Sequence, residues 1–275
     1  MRFPLRARLV LACVAAVFFL SGCAAKTMAP TGPDPAKTAW EAFRAREKSP
    51  GAAWKAFRLD ASLSFAAQQR SGRLNLAFYG NLDLPLRLDF TLPMGAPYAF
   101  WREDGGGWTA YYPGNQTAFT HENTREGISR LGLPLPFDLR ELAAVAIGRF
   151  GELIPAAHTS VKKRPDGYEY ALGPDSRLAS ITLDFEGKPI HLTGRGIEPW
   201  RVAFEDYQPD PEAKAPPEPK RIVLTTPGGT VVKLRIKTVE GRDQSWPESA
   251  LTLPIPPGTA VRSLEAGGPV AVPDI

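Results

Sequence analysis

The residue with the most specific chemistry in this chain is Cys23, which closes the run Leu20-Ser21-Gly22-Cys23. Small residues before a cysteine, placed after an apolar stretch, form the pattern at which a bacterial lipoprotein leader is cut and its cysteine thiol becomes a thioether to lipid. The upstream segment has the parts of an export leader: Arg2, Arg6 and Arg8, then apolar residues 9–20. It is too short for a membrane span, which takes about 20 apolar residues. Acylation at Cys23 would supply more than one chain, enough for stable anchoring. The alternative is an ordinary secretory peptide cut near Ala25.

The other reactive side chains form no constellation. Cys13 lies in the leader, so no disulfide is expected in the mature chain. His121, His158 and His191 are far apart and lack a second ligand at metal spacing, so no metal site is expected. No Gly-x-Ser-x-Gly elbow occurs. Gly228-Gly229-Thr230 resembles a phosphate loop but sits between two strand patterns, where a hairpin turn is expected. Asp104, Asp184 and Glu186 read as solvated carboxylates. The expectation is a binding protein, with neither catalytic residues nor a cofactor.

Charge narrows the partners. Lys and Arg number 33 against 29 Asp and Glu, for a net +4. Removing the leader takes away three arginines and no acid, which leaves about +1 and no basic stripe interleaved with aromatics. Nucleic acid is not an expected partner.

These residues need elements to position them. Residues 1–22 read as signal peptide and 23–37, small and Pro-rich, as a flexible tether. Thr38-Ala39-Trp40-Glu41 has the spacing of a capping box and predicts a short helix to about Lys48, with Trp40 and Phe43 on one face. From Phe57 the period changes to two: Leu59, Ala61, Leu63 and Phe65 alternate with polar residues. The same alternation recurs along the chain and ends with Val232, Leu234 and Ile236 against Lys233, Arg235 and Lys237. About eleven strands or more predict a mainly β fold, a curved antiparallel sheet closing into an incomplete β-barrel. One region breaks the pattern: 122–130 and 137–147 read as helices around a Gly-Leu-Pro-Leu-Pro break. Ile128, Leu131, Leu139 and Leu142 would face the sheet as a helical lid. The Pro-rich run 208–219 reads as an exposed loop. The domain is expected to span 38–239, and 240–275 to be an extended Pro-rich extension with one extra strand at 250–253.

A sheet covered by a separate helical segment can hold an apolar ligand between the layers. The inward positions that would line such a cavity, or fill it as core, are Phe65, Phe78, Phe90, Ile181, Leu183, Phe204, Leu224 and Leu234. The turn Leu92-Pro93-Met94-Gly95-Ala96-Pro97 places an apolar Met where turns carry polar residues. Met94 either projects into water as a membrane probe or folds back as a core plug.

Three blocks resemble the LolB family of outer-membrane lipoprotein receptors and, more broadly, the LolA/LolB fold. They are 86–95, a strand followed by Pro-apolar-Gly; 127–148, helix, Gly-Leu-Pro-Leu-Pro break and helix; and 200–239, the last strands with a Pro-containing loop. Trp40 and the lipobox occupy similar relative places, and 240–275 extends past the family pattern. The resemblance implies a monomeric, lipid-anchored, periplasm-facing protein of the outer membrane. Its apolar cavity would accept the acyl chains of lipoproteins from a periplasmic LolA-like carrier and release them into outer-membrane lipid. The family's protruding apolar loop residue, usually Leu, matches Met94.

Overall fold

The computed structural model describes residues 34–47, 54–67, 71–133, 135–196, 199–208 and 218–265. Cys23, the leader and nearly all of the expected tether lie outside the described residues.

Two meanders build the sheet. The first runs β1 (Ala56–Ala66), β2 (Ser71–Asn81), β3 (Leu86–Thr91), β4 (Pro97–Asp104), β5 (Gly107–Tyr112) and β6 (Thr117–His121). The second runs β7 (Ser160–Arg164), β8 (Gly167–Ala171), β9 (Leu178–Leu183), β10 (Pro189–Gly194), β11 (Arg201–Gln208), β12 (Glu218–Thr225) and β13 (Val231–Arg242). Antiparallel pairing of β1 with β13 joins them, and with β14 (Ala260–Ser263) beside β6 the order across the sheet is β14-β6-β5-β4-β3-β2-β1-β13-β12-β11-β10-β9-β8-β7. With fourteen strands among the described residues, and β14 and β7 at its ends pairing with no further strand there, this is an open, curved sheet, since a twisted sheet of that width curls instead of lying flat. β7 blunts one edge with Lys162, Lys163 and Arg164, all exposed.

The topology explains the lid. β6 and β7 are consecutive in sequence but lie near opposite edges, so the chain between them must cross the concave face. That crossing carries α2 (Thr124–Arg130) and α3 (Leu139–Ala146), and α3 touches both β4 and β12. Asn123 caps α2 by accepting from the Glu126 N–H at 3.0 Å. Asp138 and Glu141 form a reciprocal capping box on α3. Ile128, Leu131 and Leu139 are fully buried and Leu142 is half-buried against the same core. Burial of each such side chain contributes about 1.5–3 kcal/mol. Among the described residues no helix is long and apolar enough to cross a membrane.

Several boundaries differ from expectation. The first helix, α1, spans Pro35–Arg46, so three residues assigned to the tether are helical. A proline at the first helical position has its φ preset and needs no N–H donor, which moves the start ahead of Thr38. Trp40 and Phe43 are buried as read. Beyond β13 the chain is not a loose extension. Residues 248–251, expected partly as strand, form α4 (Glu248–Leu251), with Leu251 fully buried. The extra strand is β14 (Ala260–Ser263), parallel to β6 with Ala260 opposite Thr117. Leu253 packs with Tyr111, Ala118 and Phe100 on the outer face of the first meander.

Candidate functional site

The sheet register puts the eight predicted inward residues on one face. Cross-strand partners run Phe65, Val232, Leu224, Val202, Leu192, Ile181 and Tyr170 across seven strands. A second row runs Leu74, Leu63, Leu234, Ile222 and Phe204. On the first meander Phe78 lies opposite Leu59 and Leu88, and Phe90 opposite Leu76 and Ala99. Leu183 follows two positions after Ile181 on β9 and pairs with Tyr168.

Burial is graded along the long row. Tyr170, Ile181, Leu192 and Val202 are fully buried and Leu224 nearly so, whereas Val232 and Phe65 are half-exposed. In the second row Leu63 and Leu234 are likewise half-exposed. Six of the eight predicted residues, Phe78, Phe90, Ile181, Leu183, Phe204 and Leu224, are therefore packed as core. The open end of the apolar face lies on β1 and β13, where Phe65 and Leu234 sit beside Leu63 and Val232. Leu63 and Val232 belong to the same alternation that exposed the others, which is the signal by which they are legible.

The lid fills the rest. Phe150, just after α3, meets Phe204 edge-on at 5.2 Å and approaches Phe43 of α1 at 6.4 Å. Phe137 meets Trp200 at 5.0 Å. A cavity of about 200 Å³ lies at α3, bounded by Leu82, Leu86, Ala143, Ala144 and Ile147 and by the charged groups Glu47, Arg140, Arg149 and Glu152. It is smaller than an ordinary ligand pocket of roughly 300–1,000 Å³ and is lined by none of the eight.

The start of α3 is pinned by charge. Glu103 of β4 accepts from the Leu139 N–H at 2.7 Å, Arg125 reaches Asp138 at 3.1 Å, and Arg177 reaches Glu141 at 2.7 Å. Burial, and then the neighbouring Asp138 carboxylate, pushes the Glu103 and Glu141 carboxyls up from their ordinary values. These contacts join residues far apart in sequence, and no local spacing announces them.

Met94 sits at the tip of the β3–β4 hairpin with its side chain 96% exposed, so it is not folded back as a plug. Gly95 donates to the Leu92 carbonyl at 2.8 Å and Leu92 to the Ala96 carbonyl at 2.8 Å, with Gly95 at φ +89°. Pro93 presets the first turn residue and Gly95 supplies the left-handed one. The β12–β13 hairpin Thr226-Pro227-Gly228-Gly229-Thr230 repeats the same bonds at 3.0 Å each, with Gly229 at φ +77°. Gly228 stands where Met94 stands in the first hairpin. The turn thus requires Pro93 and Gly95, and nothing in its backbone requires a large apolar residue at 94.

The remaining candidates have structural roles. His121 ends β6 and accepts from the Asn123 N–H at 2.9 Å, His158 packs on Trp40 at 4.9 Å, and His191 lies 3.9 Å from Asp166. Among the described residues no three His, Cys, Asp or Glu side chains are grouped to hold a metal. Asp104 pairs with Arg102 at 3.1 Å, and Asp184 accepts from the Glu186 and Lys188 N–H groups.

No protein-family model matches the chain, and no curated protein matches it. Among solved structures, a LolA-superfamily protein from Nitrosomonas europaea superposes with a TM-score of 0.53 at 11% identity, covering 80% of this chain and 99% of that one. The chain shares the LolA-like fold of that protein. A putative outer membrane lipoprotein-sorting protein domain from Vibrio parahaemolyticus shares the LolA-like fold at TM-score 0.52 and 10% identity, over 78% of this chain and 97% of its own. A DUF1329-family protein from Desulfovibrio piger does so at 0.52 and 9%, over 80% and 100%.

Proposed function

We propose that this chain is an acylated envelope lipoprotein that binds acyl chains at the half-open end of its LolA-like sheet and delivers them to a bilayer, the role of a LolB-type receptor. The observation that carries the reading is Met94, an apolar side chain held in water by a hairpin whose own chemistry does not need it. Cys23 would fix the protein to the outer membrane, and a periplasmic LolA-like carrier would supply the lipoprotein.

Such a role needs no covalent step. Each buried methylene is worth about 0.8 kcal/mol, so transfer runs downhill when this sheet holds acyl chains better than the donor and less well than the bilayer. Half-exposed Phe65, Leu63, Val232 and Leu234 would meet the chains first, and α3 would have to give way for them to advance over the buried rows.

The test uses the mature chain carrying Cys23→Ala. Stoichiometric binding of a triacylated lipopeptide, in preference to its deacylated form, is expected. Equal binding of both would mean that the lid stays shut over a filled core, and would favour a scaffold in an envelope complex or a carrier of another lipid.

A further inference from the structure

The outer face of the sheet is sorted by charge along the strands. Toward one end its cations have acids beside them: Arg58 with Asp60 at 3.1 Å, Arg87 with Asp89 at 2.8 Å and Arg102 with Asp104 at 3.1 Å. Toward the other end the cations of β2 and β13 do not, although Arg221 of β12, opposite Arg235, pairs with Glu205 and Asp206. Arg73 of β2 and Lys233 and Arg235 of β13 are exposed and, among the described residues, make no ion pair, while exposed Lys237 donates to Asn75 at 3.2 Å.

Register places these four cations together. Ser64 of β1 lies opposite Arg73 on one side and Lys233 on the other, and Ser62 lies opposite Asn75 and Arg235. The neutral serines between them leave one patch of positive charge. Pairing of Asn75 with Thr91 then puts Arg73, two residues further out, level with Pro93 at the base of the Met94 tip. A surface shaped for solubility alone would intersperse both signs. Here unpaired charge of one sign stands beside the most exposed large apolar side chain of the described residues.

We propose that Arg73, Lys233, Arg235 and Lys237 form a docking face for an anionic bilayer, orienting the hairpin so that Met94 enters the lipid. The occupant is the phosphate layer of a membrane surface, chosen because its negative charge and its apolar interior lie at adjacent depths, as the cations and Met94 do. A basic residue near an anionic leaflet is worth about 1 kcal/mol. Neutralising two of the four therefore lowers the ratio of docked to undocked protein by roughly 30-fold. This rests on the reading of Met94 as the delivering tip.

The test uses the full lipidated protein with Met94→Cys, whose thiol carries an environment-sensitive fluorophore because Cys23 is blocked by lipid. It is reconstituted in vesicles of phosphatidylcholine alone or mixed with phosphatidylglycerol. Blue-shifted emission is expected in the mixed vesicles, lost in the Lys233→Gln/Arg235→Gln variant and reversed by sodium chloride. Inorganic phosphate should reverse it no better than chloride at equal ionic strength; stronger competition would assign the patch to free phosphate and overturn the proposal. Equal blue shift in both vesicle types would overturn the docking face while leaving the Met94 tip intact. Emission from water in both would remove the tip and the face together. Unchanged thermal melting of the double variant shows that it is folded.

Discussion

Arg177, in the segment entering β9, donates to Glu141 in the first turn of α3 at 2.7 Å and so ties the lid to the second meander. Arg125 ties the same turn to α2, and Glu103 ties it to β4. For acyl chains to pass over the buried rows, these ties must loosen. Arg177→Ala is expected to cost less than about 1 kcal/mol of global stability, because the pair is partly exposed. Amide exchange in α3 should nevertheless quicken while β1 and β13 stay protected, as hydrogen exchange read by mass spectrometry would report. Unchanged exchange in α3 would mean that this pair does not hold the lid.

Met94 touches none of the core, so changing it should separate delivery from capture. Met94→Glu is expected to leave melting within about 0.5 kcal/mol of the parent, since exposed substitutions away from special features change little. Lipopeptide binding should also stay at the parental level. Transfer of a bound lipopeptide from the protein into vesicles should fall sharply, because a carboxylate cannot enter the apolar layer without a heavy desolvation cost. Equal loss of binding and transfer would take Met94 out of the mechanism.

Glu47, Glu103 and Glu141 all have carboxyls raised by burial above the ordinary value of 4.5. A raised value means that the folded state binds the proton more tightly than the unfolded one. Their contribution is therefore fully present below 4.5 and is lost as pH rises through the raised values. Their share of the stability, read by thermal melting, should rise on mild acidification from neutrality toward the ordinary carboxylate range, against the opposite pull of His191, which burial holds below its ordinary value. Glu103→Gln, which can still accept from the Leu139 N–H through its amide oxygen, should flatten part of that rise. A pH profile identical to the parent would show that Glu103 is ionised at no cost in the folded protein.

Strands were legible because most of those described in the two meanders carry a period of two, from Leu59 on β1 to Ile236 on β13, whereas β7, Ser-Val-Lys-Lys-Arg and exposed throughout, does not. The lid was legible because its apolar spacing and its Gly-Leu-Pro-Leu-Pro break interrupt that period. Two things were not. β14 has four exposed residues and no alternation, and it exists because β6 offers an unpaired edge on the far side of the first meander. The filling of the concave face was hidden as well, since an inward Phe looks the same in sequence whether it lines a cavity or meets Phe150. Sequence alternation identifies a face, whereas occupancy depends on which distant side chain arrives there.

The chain beyond β13 supplies the last expectation. Leu251 is fully buried, Leu264 nearly so, and Arg87 donates to the Thr252 carbonyl at 2.7 Å, so this segment is built into the outer face of the first meander. Trp246 adds its indole N–H to the Phe57 carbonyl at 3.1 Å. Ending the chain after Arg242 would uncover Tyr111 and Ala118 and leave β6 as a bare edge, the arrangement that invites strand-to-strand association. The milder change Leu251→Ala removes a buried side chain and should cost about 2–5 kcal/mol in urea unfolding. The truncated chain is expected to melt lower still and to form larger species on gel filtration. A truncated chain that stays monomeric with the parental midpoint would show that the segment only decorates the sheet.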